Sequence, residues 1–417
     1  MRALSAILLL LLLAGCATRG ALNIDCPSFA DLRHDLPYSP LEREIHGLET
    51  KPRPDTLSPQ DTDLSRRFRR TMEVQRPQAT DGPAIMLLSG GGQWGAYGVG
   101  FLDQLRRDGR LPQFTVITGV STGAMQSLFV AVDTPEAWDR LAASYAPAKE
   151  SDLVDRDPRW HAIITGSFAG LKPLRRKLEQ ELCPDNAVDH PDKPCTLDAL
   201  KALAGRKTVL IGFVQAASGK FQYVDAVDLA ALPRREARAC LAGAALASAA
   251  MPVKFQQVKI NGEAYYDGGV RASVFAANVA AAADRAAELQ HDLPDTLQAR
   301  EEPDPSLPIY VVRNGETTVP ADSDINGEDD ALTAAQRAES IVVNQLEVSS
   351  IAAIRLEHPH GVLRLTTADG WPSAGCIKPP RAIFDPAFMR CMMQWGRTRA
   401  TAANPWIDLS PLVARAP

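Results

Sequence analysis

Apolar positions change character along the chain near residue 84. Upstream, residues 17–80 are rich in Pro and charge and show little periodic hydrophobicity, as expected of a tether with no core of its own. One docked helix is expected within them. Ser58-Pro59-Gln60-Asp61 offers a capping residue, a Pro at the first helical position and an acid at the third, after which Leu64, Phe68 and Met72 recur every four residues. Arg66, Arg67, Arg69 and Arg70 cover its other side, as a solvated face or one that touches anionic lipid.

From residue 84 onward, short apolar runs alternate with longer helical ones. AIMLLS (84–89) and FTVITGV (114–120) have the unbroken apolar character of buried strands, and GGGQWGAYGVGFLDQLRR (90–107) and TGAMQSLFVAV (122–132) read as a glycine loop with its helix and a second helix. TVLIGFVQAAS (208–218) with KFQYVDA (220–226), and FQQVKI (255–260) with EAYYDGG (263–269), form two expected hairpins, the second turned by Asn261-Gly262. LPIYVVRN (307–314) adds a strand, and residues 331–356 a long helix. Strands alternating with helices predict a layered α/β fold with a largely parallel sheet, in one domain covering 81–417.

Composition narrows the class. Across 417 residues, 45% are hydrophobic and 23% charged, with a net charge of -5 and no long basic tract, so nucleic acid is not an expected partner. The first residues, MRALSAILLLLLLAGCATRG, hold an apolar run too short to span a bilayer and ending in small residues, the build of an export signal. Leu13-Ala14-Gly15-Cys16 resembles the lipobox of bacterial lipoproteins, which implies a signal peptide over 1–15, lipidation of Cys16 and anchoring at the outer membrane facing the periplasm; a plain cleavable signal with a chance Cys is the other reading. Export permits disulfides. Cys183 and Cys195 bracket a Pro-rich loop that a staple would hold, and Cys376 and Cys391 could pair likewise. Cys26 and Cys240 are left over, and Cys240, inside ARACLAGAALASAA, reads as a small buried hydrophobe.

The candidate chemistry lies between these elements. Gly119-Val120-Ser121-Thr122-Gly123 is a G-x-S-x-G directly between an apolar strand and an apolar helix, the setting of a nucleophile elbow. Ser89-Gly90-Gly91-Gly92-Gln93-Trp94-Gly95 also joins a strand to a helix, and its glycines leave backbone N–H groups open to an anion. It lacks the Lys of a P-loop. Gly90, Gly92 and Gly95 match G-x-G-x-x-G, but the next strand ends in Val120-Ser121, not in the acid that a dinucleotide site requires. An oxyanion hole is the reading that remains. Tyr265-Tyr266-Asp267-Gly268-Gly269 and Ala247-Ser248-Ala249-Ala250-Met251-Pro252 are bland individually.

In this order, the four stretches resemble those of the patatin-like lipid acyl hydrolases: a glycine-rich oxyanion loop, G-x-S-x-G, A-S-x-A-x-P and D-G-G, across about 84–272. The resemblance implies a three-layer α/β/α patatin-like fold with a mainly parallel central sheet, residues 273–417 forming a C-terminal extension. It implies a serine esterase with Ser121 as nucleophile, Asp267 as its base without histidine, and Gly90, Gly91 and Gly92 as the oxyanion loop. Membrane lipid or another acyl ester would be the substrate, with no cofactor and no metal. Trp94 stands where the family usually has Arg or Lys, which bears on a preference for phospholipid; Arg271 is a candidate substitute.

Two rivals accompany this reading. His358 or His360 would complete a Ser-Asp-His esterase or thioesterase, and a non-catalytic lipid-binding lipoprotein of the same fold is the other. Asp322-Ser323-Asp324-Ile325-Asn326-Gly327 copies the start of a calcium loop, but its twelfth position is Thr333 in place of a bidentate Glu, so an acidic surface loop is expected there.

Overall fold

A computed structural model of the chain describes residues 20–38, 40–47, 67, 71, 84–158, 166–274, 307–319, 321, 325, 327, 331–359, 361–379 and 382–409. Cys16, His360, the acidic positions 322–324 and, apart from residues 67 and 71, the helix expected from Ser58 lie outside these. The first elements are β1 (Leu22–Ile24), α1 (Phe29–Leu32), β2 (Arg33–Asp35), α2 (Pro40–Ile45), β3 (Ala84–Leu88), α3 (Gly95–Arg107), β4 (Phe114–Val120), α4 (Thr122–Val132) and α5 (Pro135–Ser144). Next come β5 (Asp155–Arg156), β6 (Ser167–Gly170), α6 (Lys172–Leu182), α7 (Thr196–Lys201), β7 (Thr208–Gln215), β8 (Phe221–Asp225), α8 (Ala226–Ala230) and α9 (Arg234–Ser248). They are followed by β9 (Val253–Phe255), β10 (Val258–Ile260), β11 (Glu263–Asp267), β12 (Ile309–Val312), α10 (Ala331–Glu357), β13 (Leu363–Thr366), α11 (Pro386–Ala400) and β14 (Ile407–Asp408).

The main sheet runs β1-β10-β11-β7-β4-β3-β12-β13-β14, with β8 on the other edge of β7 and β2 beyond it. Its centre, β7-β4-β3-β12-β13, is parallel throughout, and antiparallel pairs flank it on both sides. The parallel strands are buried on both faces, which is why they read as continuous apolar runs. Met86 and Leu88 of β3 join the larger core, under α3, α4, α9 and α11. Ile85 and Leu87 point the other way, into a smaller core with Ile351 and Ile354 of α10. The fold is therefore the expected three-layer α/β/α arrangement.

Both hairpins form as expected, β7 with β8 and β10 with β11. Asn261 and Gly262 both take positive φ, 50° and 86°, as a two-residue hairpin turn of that sequence requires.

The N-terminal segment departs from expectation. Residues read as tether supply two strands: β1 pairs with β10 and β2 with β8. This brings Cys26 to α9, where it bonds Cys240 at a Cα–Cα distance of 5.1 Å. Cys240 is thus a disulfide partner, correcting its reading as a free hydrophobe; the other two bridges are Cys183–Cys195 and Cys376–Cys391. Arg67 lies beside Asp225 and Asp228 and pairs with both.

Candidate active site

Ser121 sits between the last residue of β4 and the first of α4 with φ 54° and ψ -122°, a backbone conformation unfavourable for a non-glycine residue. The strain is held by contacts on either side. Gly119 and Gly123 are required by close approach: a Cβ on Gly119 would lie 2.3 Å from the Gly123 carbonyl oxygen, and one on Gly123 2.3 Å from that of Leu88. Neither glycine has a positive φ, so their role is to let the turn pack tightly while the serine takes the strained conformation.

Asp267 reaches the serine through the sheet. β4 runs parallel to β7 and its pairing ends with Val120 opposite Gly212; β11 runs antiparallel to β7 and its pairing ends with Asp267 opposite Phe213. Since β8 occupies the other edge of β7, β4 and β11 meet head to head along one edge. The residues ending them, Ser121 and Asp267, are therefore neighbours. Asp267 is 2% exposed and Ser121 9%.

Burial raises the Asp267 carboxyl to about pH 7, against the opposing effects of a hydrogen bond from the Ser121 hydroxyl and one from the Gly269 N–H, the latter at 2.7 Å to Oδ1. Glu339 of α10 raises it further and Lys254 lowers it, and these two form an ion pair at 2.9 Å. A buried carboxylate that titrates near neutrality is suited to accept a hydroxyl proton.

Ser248 closes the junction between the two strands. It is fully buried, its Oγ accepts from the Ser121 N–H at 2.8 Å, and the same hydroxyl donates to the Gly212 carbonyl at 2.6 Å. The A-S-x-A-x-P stretch thus has a local physical reason: its serine ties the elbow to the middle of β7. No periodicity or spacing in the sequence assigns that role.

The glycine loop lies against Ser121. A Cβ placed on Gly90 would be 3.3 Å from the Ser121 Cβ and 4.0 Å from its Oγ, and Gly91 and Gly92 follow with φ of 138° and 57°. Trp94 is turned away from a head-group role by its packing: it meets Trp371 and Phe388 edge-on, and the Lys378 ammonium stands 5.7 Å over its ring. Arg271 does not take the family cation's place. Its guanidinium donates to the Gly219 carbonyl and covers the Tyr38 ring.

An apolar cavity begins at Ser121 and Thr122 and extends along Met125, Phe129, Leu153, Leu174 and Leu178. Lys177 and Glu181 also line it and pair with each other at 3.5 Å. Its lining suits a hydrocarbon chain.

His358 is buried near the starts of β12 and β13. It packs on Gly361, next to Val362, whose carbonyl accepts from Ile309 at the start of β12. Ser121 lies beyond the opposite ends of these strands. The length of β12 alone, four residues, separates the two levels by about 13 Å, so His358 is not placed to serve Ser121. Among the described residues, no group of three or more His, Cys, Asp or Glu is arranged to hold a metal ion, and no helix is long and apolar enough to cross a membrane.

Comparison with known families matches residues 86–280 to the family described as Patatin-like phospholipase. Among solved structures the chain is similar to VipD from Legionella pneumophila, at 12% identity and a TM-score of 0.30, over 76% of this chain and 67% of that one. A search of curated proteins finds no match. The matched region holds the glycine loop, the Ser121 elbow and the Asp267 turn, and over residues 86–280 the chain is similar to the patatin-like phospholipases.

Proposed function

We propose that the protein is a serine lipid acyl hydrolase that cleaves acyl esters with a Ser121–Asp267 dyad through an acyl-serine intermediate. The match of residues 86–280 to the patatin-like phospholipases supports a lipid acyl hydrolase activity. The observation that carries the finer reading is the meeting of a strained Ser121 with a buried Asp267 at the mouth of an apolar cavity.

The acyl chain lies in the cavity and the ester carbonyl over Ser121. Asp267 takes the hydroxyl proton as Oγ bonds to the carbonyl carbon, and the N–H groups of Gly90 to Gly92 receive the oxyanion. Collapse breaks the ester bond, and the departing alcohol takes the proton from Asp267. Water then attacks the acyl-serine, giving its proton to the same carboxylate. Release of the fatty acid returns that proton to Ser121.

Three disulfides among the described residues use every cysteine but Cys16, which supports an oxidising compartment and the reading of Cys16 as the lipidated first residue of an exported protein. Lipid attached there would hold the enzyme at a membrane surface, outer and periplasm-facing, beside its substrate. Hydrolysis of nitrophenyl esters and of defined phospholipids by wild type and Ser121→Ala tests the reading. Wild-type turnover lost in the variant supports it; turnover surviving the substitution overturns it. Metabolic labelling with an alkyne fatty acid should mark the wild type and not Cys16→Ser, and equal labelling of both would refute the anchor.

A further inference from the structure

We propose that Asn314, together with Gln126, is a positioning residue that holds the glycine loop in register with the nucleophile elbow, so that a residue outside the matched family region sets the placement of the oxyanion donors. The proposal rests on the reading of Ser121 as nucleophile and of Gly90 to Gly92 as oxyanion donors. Asn314 lies just past the end of β12, which runs parallel beside β3. It therefore arrives next to Ser89, where the loop begins.

The contacts are specific and buried. The Asn314 backbone N–H donates to Ser89 Oγ at 2.9 Å, and its Nδ2 donates to the Ser89 carbonyl at 2.9 Å and to Gln126 Oε1 at 3.1 Å. Gln126 answers with its Nε2, which donates to the Gly95 carbonyl at 2.8 Å and to Asn314 Oδ1 at 3.4 Å. Ser89 Oγ donates in turn to the Gly90 carbonyl at 2.9 Å. Ser89, Gln126 and Asn314 are each 1% exposed or less. The loop is thereby gripped at its first residue and at Gly95, where α3 begins, by one reciprocal amide pair.

The pair also fixes the loop to the chemistry. Gln126 belongs to α4, the helix that starts immediately after Ser121, so the same hydrogen bonds join the nucleophile's helix to the oxyanion donors. The Asn314 carbonyl oxygen occupies the space in which a Cβ on Gly91 would fall, 1.8 Å away, which explains why the middle position of the loop is glycine. Only an amide supplies both the donor that Ser89 and Gln126 require and the acceptor that Gln126 Nε2 uses. A carboxylate of the same shape at position 314 would face the Ser89 carbonyl with a second acceptor.

The test is steady-state hydrolysis of nitrophenyl butyrate by the full chain, with sites counted by fluorophosphonate titration, for wild type, Asn314→Asp and Gln126→Leu. Oxyanion donors act over a few tenths of an ångström, and loss of one lowers kcat by about 10²–10³-fold; a displaced loop should lower kcat per titrated site by at least about tenfold, with KM changed far less. Affinity for a trifluoromethyl ketone, whose adduct with Ser121 bears the oxyanion, should weaken in step with kcat. Gln126→Leu keeps the Asn314–Ser89 bonds and carries the test if Asn314→Asp does not fold. Wild-type kcat per titrated site and unchanged ketone affinity in a folded variant would overturn the proposal. A wild type that neither reacts with the phosphonate nor hydrolyses ester would instead overturn the functional reading beneath it.

Discussion

Asp267 has two jobs that pull in opposite directions, and both can be read from its burial. As the proposed base it must be ionised, and its folded-state value near 7 predicts that kcat/KM rises with pH through about 7 and is lost as the carboxyl protonates below it. As a buried group it is stable when neutral. The folded value lies above the ordinary carboxylate value, so its contribution to stability is fully present below about pH 4 and is lost as pH rises through about 7. Asp267→Asn should therefore abolish ester turnover while raising Tm by several degrees at pH 8, with the gain fading between pH 7 and 4. Thermal melts of both proteins across that range check the sign; a variant less stable at pH 8 would show that the carboxylate is held by more favourable contacts than burial allows. The sequence offered Asp267 only as one more Asp-Gly turn until its companions were counted, since burial depends on the packing around it.

At the level of elements, the site is a property of how two strands share one edge of a third. β4 and β11 stop where they meet on β7, and Ser248, from the end of α9, fills the gap with two hydrogen bonds. Replacing Ser248 by Ala leaves the buried Ser121 N–H and Gly212 carbonyl without this partner, at about 1–3 kcal/mol of stability. Ester turnover should fall in excess of that loss, because the strained φ of Ser121 is no longer tied down. Urea melts and kcat on the same preparation separate the two effects, and full kcat in a destabilised Ser248→Ala would restrict the residue to packing. The elbow, the glycine loop and both hairpins were legible because strand, turn and helix each leave a local signature. β1, β2 and β13 were not: three or four residues give too little alternation to recognise, and their pairing partners lie far away in sequence.

Across the whole molecule, the long-range links are what the sequence conceals. Cys26 and Cys240 are 214 residues apart, and the bond between them depends on a strand that composition assigned to a tether. Opening it should cost about 3–5 kcal/mol, since closing so long a loop removes much of the unfolded chain's freedom. Cys26→Ser/Cys240→Ser should lower Tm by roughly 3–6 °C, and a Tm within about 1 °C of wild type would mean that β1 is held by its sheet pairing alone. The C-terminal part behaves similarly. Residues beyond 273, read as an extension, place β12 between β3 and β13 inside the sheet and bring Asn314 to the loop. The chemistry-bearing stretches were legible as an ordered set, whereas the groups that hold them in place come from segments with no motif.

Activation of Ser121 by Asp267 can be read by labelling the folded protein with a fluorophosphonate and mapping the modified peptide. The expected result is a single label on Ser121 in wild type, none in Ser121→Ala, and a rate in Asp267→Asn reduced by at least about 10²-fold. An unlabelled wild type, a label on another serine, or an undiminished rate in Asp267→Asn would contradict it.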